Sequence, residues 1–366
     1  MILQAAPQLR IARFRGEIDA AISAVLGGDA YILGAPVEAF EAAFASYAGC
    51  AHAVGVSSGT EALALALRAL GVGAGDEVIL PALSFAGSAQ AVLQCGASPR
   101  FVDVDPRSRC IDPAAAADAV TVRTAAIMPV HLFGYPAEMP ALIALADRHG
   151  LAIVEDCAQA HGATLVGRRL GSFGHAAAFS FYPTKNLGCI GDGGAVTTND
   201  ARLAERLRSL RNYGFAGSER ISREPGFNAR LDTLQAAILS ALLPFCDDGN
   251  RERRALAARY RVALADCLGL GLPPEAEGAV HHQFAVTHPD RDGLMRCLAE
   301  AGIGSAVHYE PGLHRHPAFA WGATEPLPVT DRLAATLLSL PIQPEVATLA
   351  VDRVAAALRR FCTTLR

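Results

Sequence analysis

Between about residue 50 and residue 200 the chain alternates apolar, β-rich runs with helical patterns, and the runs are apolar along their whole length. His52–Val56 reads as a strand, Glu61–Leu70 as a helix, Glu77–Leu80 as a strand and Ser84–Cys95 as a helix. Strands follow at Arg100–Val104 and Ala125–Val130, then a helix at Ala137–His149 and a strand at Ala152–Glu155. Ala176–Phe181 and Gly194–Thr197 read as two more buried strands. Strands apolar on both faces and interleaved with helices predict an α/β fold, a mostly parallel central sheet with helices on both faces. Such sheets bind ligands at the carboxyl ends of their strands, so polar residues just after a strand are the site candidates.

The pattern changes after Pro244. Asp247–Leu268 reads as one long basic helix, followed by a Gly-rich stretch and the pair Pro273–Pro274. Strand Gln283–Thr287, helix Asp290–Ala301, strand Ser305–His308 and a final helix from Glu345 then predict a smaller unit. The expected division is a large α/β domain of residues 1–245 and a small C-terminal α+β domain of residues 246–366. A chain of 366 residues, 51% hydrophobic and 19% charged, has the length and composition for both.

Bulk charge narrows the partners. A net charge of -4 supplies no field that would draw nucleic acid or an anionic membrane. The amino-terminal stretch has no signal-peptide core, and no run approaches the ~18 apolar residues of a membrane span. Nine scattered cysteines without a CxxC pair fit reduced thiols, so the expected location is the cytoplasm. The histidines at 281, 282, 308, 314 and 316 match no zinc spacing, and no metal is expected. Gly71–Asp76 is glycine-rich but follows a helix and precedes a strand, the reverse of a dinucleotide-binding turn.

Four segments at strand ends carry chemistry. Ser57, Ser58, Gly59 and Thr60 join a strand to a helix; such a turn offers free N–H groups to an anion, and equally serves as a plain helix cap. Asp156 directly follows the strand Ala152–Glu155 and is either a solvated loop acid or a semi-buried carboxylate that needs a cationic partner. Lys185 follows the strand Ala176–Phe181 in a loop bounded by Pro183 and Gly188, without an acid within five residues. It is the only lysine, and the other 31 basic residues counted as Lys or Arg are arginines. A surface role would be served by arginine, whereas a Schiff base requires a primary amine. Gly226–Asp232 leads into a helix at Thr233–Leu243, where its polar groups could reach a ligand or simply cap the helix.

With these segments in order the chain resembles the DegT/DnrJ/EryC1/StrS sugar aminotransferases. These are fold-type I pyridoxal-phosphate enzymes that act on nucleotide-linked keto sugars. The resemblance runs from Tyr31 to about residue 360 through SSGTEAL, PALSFAGSAQAV, GASPRFVDVDP, PVHLFGYPAEMPAL, VEDCAQAHGA, SFYPTKNLGCIGDGGAVTTND, GFNARLDTLQAAIL and VHYEPGLHRHPAF. It implies that Lys185 binds the cofactor's aldehyde and then moves the proton of the 1,3-shift. Asp156 would keep the pyridine nitrogen protonated, so that the ring withdraws electrons. Gln159 would bond the phenolic oxygen, Phe85 would stack on the ring, and Ser58, Gly59, Thr60 and Ser180 would hold the phosphate. Asn228 would reach the phosphate of a partner subunit, which implies a homodimer with shared active sites.

The expected substrate contacts are His161, Tyr182, Tyr213, His308, Tyr309 and His314. Stretches such as HHQFAV and VHYEPGLHRHP look closest to family members that aminate C3 of dTDP-linked 6-deoxy-3-ketohexoses, with glutamate or glutamine as the amino-acid donor. A C4 aminotransferase on a UDP- or GDP-sugar stays open. The family's dehydratases carry histidine in place of the lysine, and Lys185 argues against them. A regulatory protein that binds the cofactor without turnover is the reading outside catalysis.

Overall fold

The structure is a computed structural model that describes residues 1–217, 220–319, 326–348 and 350–364. Three helices precede the sheet: α1 (Pro7–Arg13), α2 (Arg15–Leu26) and α3 (Ala35–Ala48). The strands are β1 (His52–Val56), β2 (Glu77–Pro81), β3 (Ser98–Val102), β4 (Thr124–Ile127) and β5 (Ala152–Asp156). A short hairpin, β6 (Thr164–Leu165) and β7 (Arg168–Arg169), leads to β8 (Ala176–Ser180) and β9 (Gly194–Thr198). Between them run α4 (Gly59–Ala69), α5 (Ala86–Gln94), α6 (Pro113–Asp118) and α7 (Met139–His149).

The seven-stranded sheet has the order β1-β9-β8-β5-β4-β2-β3. β8, β5, β4, β2 and β3 pair in parallel, and β9 is antiparallel to both neighbours. β1 therefore points the same way as β8, and six of the seven strands end at one edge. The mostly parallel α/β sheet predicted from the apolar runs is present.

Burial explains why α4 is mostly apolar. Eight of its eleven residues are buried, Leu65 and Leu67 among them, and the three that are partly exposed are the polar Thr60, Glu61 and Arg68. Each such leucine contributes about 2 kcal/mol. Ser58 caps the helix, its Oγ accepting from the Glu61 N–H at 3.1 Å. The cap reading of Ser58 is thus met, and it leaves the first amides of α4 free for another acceptor.

After β9 come α8 (Ala201–Leu210), α9 (Thr233–Leu242) and the long α10 (Cys246–Leu264). Then follow β10 (Phe284–Thr287), α11 (Arg291–Glu300), α12 (Pro328–Thr336), β11 (Leu337–Leu340), α13 (Pro344–Ala347) and α14 (Val351–Thr364). β10 and β11 form an antiparallel pair that shares one apolar cluster with α10, α11 and α14.

Two C-terminal expectations change. The segment Ser305–His308 is not a strand: Ala306 makes a single bridge to Ser339, after which the chain leaves the sheet toward the cavity. The final helix is split into α13 and α14. α12 and β11 escape a sequence reading because helix passes into strand between Thr336 and Leu337 with no turn residue to mark the change. No helix among the described residues is long and apolar enough to cross a membrane.

Candidate active site

The ends of β1, β2, β5 and β8 open onto one cavity of about 490 Å³. Its first wall is the β1–α4 turn. Ser58, Gly59 and Thr60 line it, and among the described residues the Gly59 and Thr60 amides have no acceptor. A Cβ at Gly59 would stand 2.6 Å from the Cβ of Ser180, and one at Gly194 would collide with the Ser58 carbonyl. Glycine at both places lets this turn close on the end of β8, where Ser180 also lines the cavity. Free amides at a helix start beside a hydroxyl make an anion cradle.

Asp156 closes β5 and is only 6% exposed. Its Oδ2 accepts from Ser88 Oγ at 2.8 Å, and its Oδ1 accepts from the Ala158 N–H at 3.1 Å. Ser84 and Ser88 share a hydrogen bond of 2.8 Å. Burial raises the Asp156 carboxyl above its ordinary range, against the pull of Ser88, Ala158 and the Lys185 charge. A carboxylate so placed is short of a cation.

Beside it, the Phe85 ring is 58% exposed and sits 5.8 Å from the ring of Tyr309. Gln159 is fixed at both ends: its Oε1 accepts from the Phe133 N–H at 2.6 Å, and its Nε2 donates to the Tyr309 hydroxyl at 2.9 Å. Burial lifts the Tyr309 hydroxyl well above its usual range, so it stays protonated.

Lys185 lines the same cavity, and its ammonium makes no hydrogen bond or ion pair to a described residue. Burial lowers its pKa to about 8, with Asp156 pulling the other way. Three imidazoles feel the Lys185 charge. His308 is lowered to about 4 and His161 to about 3, each by burial and then by Lys185, and His282 is lowered well below its ordinary value by the same causes. All three are neutral at physiological pH. His308 Nδ1 bonds Ser339 Oγ at 2.9 Å, and His282 Nδ1 bonds Asn186 Oδ1 at 3.0 Å. Asn186 Nδ2 donates to Asn250 Oδ1 and to the Val280 carbonyl, so its Oδ1 is the acceptor and His282 Nδ1 carries the proton.

The expected residues that meet at the cavity are Ser58, Gly59, Thr60, Phe85, Asp156, Gln159, Ser180, Tyr182, Lys185, His308 and Tyr309. Four others lie outside the cavity of the single chain. His161 is fully buried, packed on Phe179 and Phe181, because the loop after Asp156 folds back under the sheet's end. His314 sits in a short turn, 2.9 Å from Asp331 and away from the cavity. Neither of these two lines the cavity of the single chain. Tyr213 and Asn228 lie side by side on the surface, joined through the Tyr213 N–H to Phe227 carbonyl bond and the Asn212–Asn228 bridge. Tyr213 is 41% exposed and stacks under Arg230.

Sequence reasoning missed Ser84, Ser88 and His282. The two serines are spaced i, i+4 at the start of α5, a pattern that carries no signal until Asp156 is placed against it. His282 stands two residues before a strand, on the wrong side of the strand-end rule. His131, Glu155 and Cys157 come together in the interior. Glu155 accepts from the Gly171, Phe173 and Gly174 amides and from His131 Nε2, so its lone pairs are filled by donors rather than left for a metal ion.

Free amides at a helix start, a buried carboxylate without a cation, an exposed aromatic face and an unpaired amine fit, in turn, a phosphate, a protonated ring nitrogen, an aromatic ring and an aldehyde. Pyridoxal phosphate has all four. The profile of the DegT/DnrJ/EryC1/StrS aminotransferase family matches residues 13–359. The chain belongs to this family. It is a pyridoxal-phosphate-dependent aminotransferase of fold type I.

The aminotransferase is 49% identical over 350 residues to the erythromycin biosynthesis sensory transduction protein EryC1 of Saccharopolyspora erythraea, covering 94% of this chain and 95% of that one. It is 49% identical over 353 residues to the dTDP-3-amino-3,4,6-trideoxy-alpha-D-glucose transaminase of Streptomyces venezuelae, covering 95% and 92%. Its fold matches the crystal structure of S. venezuelae DesV in complex with a ketimine intermediate, with a TM-score of 0.96, 47% identity and coverage of 99% and 98%.

Proposed function

We propose that the aminotransferase moves an amino group from glutamate or glutamine to the keto carbon of a nucleotide-linked sugar, a dTDP-3-keto-6-deoxyhexose. The reading is carried by one observation: an unpaired amine with a pKa of about 8 shares a cavity with a buried carboxylate that lacks a cation. The near-full-length likeness to a transaminase named for a dTDP-3-amino sugar supports the substrate class.

Pyridoxal phosphate, when bound, supplies the aldehyde carbon that carries the amino group and a ring that withdraws electrons. Lys185 would hold that aldehyde through its amine and, once the donor's amino group has taken its place, would move the proton between the substrate carbon and the aldehyde carbon. Asp156, oriented by Ser88, would keep the proton on the ring nitrogen. Gln159 would meet the phenolic oxygen, Phe85 the ring, and Ser58, Gly59, Thr60 and Ser180 the phosphate. Tyr182, His308 and Tyr309 face the sugar nucleotide, and the neutral imidazole of His308 offers it a hydrogen-bonding nitrogen.

Asn228, with Tyr213 beside it, completes the site of a second copy in a homodimer. In support, Asn228 is exposed and absent from its own chain's cavity. Mixing Asn228→Ala and Lys185→Ala homodimers tests this. In a hybrid one site carries both lesions and the other none, so activity returns to about half of wild type per hybrid. No recovery, with hybrids shown to form, rejects the shared site. Residues 1–245 form the cofactor domain and 246–366 the smaller one. The nine unpaired cysteines support a cytoplasmic location.

A panel of keto sugar nucleotides with glutamate as donor tests the substrate. Amination of dTDP-3-keto-6-deoxyhexoses above all others is expected, and turnover confined to UDP- or GDP-4-keto sugars would reject the proposal.

A further inference from the structure

Arg10 belongs to α1, a seven-residue helix with no fully buried residue. Its guanidinium nevertheless reaches under the loop that carries Lys185. Nη1 donates to the carbonyl of Lys185 at 2.6 Å and to that of Asn186 at 3.4 Å; Nη2 donates to Pro183 at 2.6 Å and to Gly188 at 3.1 Å. A Cβ at Gly188 would stand 2.7 Å from Nη2, so the guanidinium fills space that a side chain there would need. Four carbonyls of one loop converge on one cation from a helix some 175 positions earlier in the chain.

The helix itself is latched by other groups. The Ala6 N–H donates to Gln343 Oε1 at 2.7 Å, and Gln343 Nε2 donates back to the Ala6 carbonyl at 2.8 Å. At the other end Arg13 pairs with Glu252 at 2.8 Å and with Glu345 at 3.5 Å. The helix thus has latches other than Arg10, whose hydrogen bonds go to the lysine loop.

We propose that Arg10 is a positioning residue for the reactive amine, gathering the carbonyls of residues 183–188 so that Lys185 is held at the cavity wall and out of bulk water. This rests on Lys185 being the amine of the proposed reaction. The planar fork of arginine spans several carbonyls at once, whereas a lysine ammonium is a single point with three donors. Without Arg10 the four carbonyls lose a charged donor, and water enters the crevice between α1 and the loop. Lys185 is then rehydrated, which favours its charged form.

Because Lys185 is the only lysine, its chemistry can be read without interference from others. The pH dependence of its acetylation by brief pulses of acetic anhydride, followed by peptide mass analysis of the cofactor-free full chain, gives its apparent pKa. Wild type should titrate near 8. Arg10→Ala should titrate at least about one unit higher and react about tenfold more slowly at pH 7, since the free amine falls tenfold per unit. Arg10→Lys should lie between the two. Arg13→Ala cuts a latch of the same helix without touching the loop, and should keep the wild-type profile. If Arg10→Ala and Arg10→Lys both titrate within roughly 0.3 units of wild type, whatever happens to their melting temperatures, Arg10 is only a clip for the fold and the proposal fails. Should Arg10→Ala not fold, the Arg10→Lys profile decides by the same criterion. A wild-type value near that of an ordinary lysine would instead remove the Lys185 assignment, and this proposal with it.

Discussion

The sheet side of the cavity is made by residues that leave a strand within four positions of its end: Ser58 after β1, Phe85 after β2, Asp156 and Ser180 as last residues of β5 and β8. The C-terminal side comes from two segments beyond residue 280, held by side-chain bonds across long sequence distances. Tyr309 is tied to Gln159, His308 to Ser339 and His282 to Asn186. On the first side, turn geometry and close backbone approach set the positions, and the groups suit a fixed cofactor. On the second, positions depend on individual side-chain contacts that can be exchanged without rebuilding the sheet. The difference teaches where chemistry is anchored and where substrate choice can vary.

The largest effect should come from the sheet side. Asp156→Asn should lower kcat on the order of 10²- to 10³-fold with the KM for the sugar nucleotide little changed, because the amide cannot hold the ring-nitrogen proton. The same variant has a pH signature in the cofactor-free protein. The folded pKa of Asp156 is raised, so its share of stability is present at low pH and is lost as pH rises through that value. Denaturant titrations across pH should show this loss in wild type and not in Asp156→Asn. Parallel profiles would mean that the carboxylate is not desolvated.

Smaller changes are expected from the C-terminal side. Tyr309→Phe removes the hydroxyl that Gln159 Nε2 meets and should cost about 1 kcal/mol, roughly fivefold in kcat/KM. Cofactor affinity should stay within about twofold, since the Phe133 amide still holds Gln159. A loss in Tyr309→Phe as large as in Asp156→Asn would erase the distinction between the two sides.

The same distinction governs what could be read from the chain alone. The sheet, its parallel pairing and the strand-end residues were legible because apolar runs and the turns after them are local patterns. Lys185 stood out by composition, as a single lysine among arginines. His282 and Ser88 were not legible, since each matters only through a partner placed by the fold, Asn186 in one case and Asp156 in the other. The placement of His161 was not legible for the converse reason. It follows Asp156 closely in sequence, yet its loop turns inward and packs it against Phe179 and Phe181. The β11 strand was hidden because α12 runs into it without a turn.

The central claim is that Lys185 is the amine that binds the cofactor. Incubation with pyridoxal phosphate, reduction with borohydride and peptide mass analysis tests it directly, because Lys185 is the only lysine of the sequence. The predicted result is one cofactor per chain, attached to Lys185, with no covalent label in Lys185→Ala. A stoichiometric label that persists in Lys185→Ala, or sits on the amino terminus of wild type, would contradict the account.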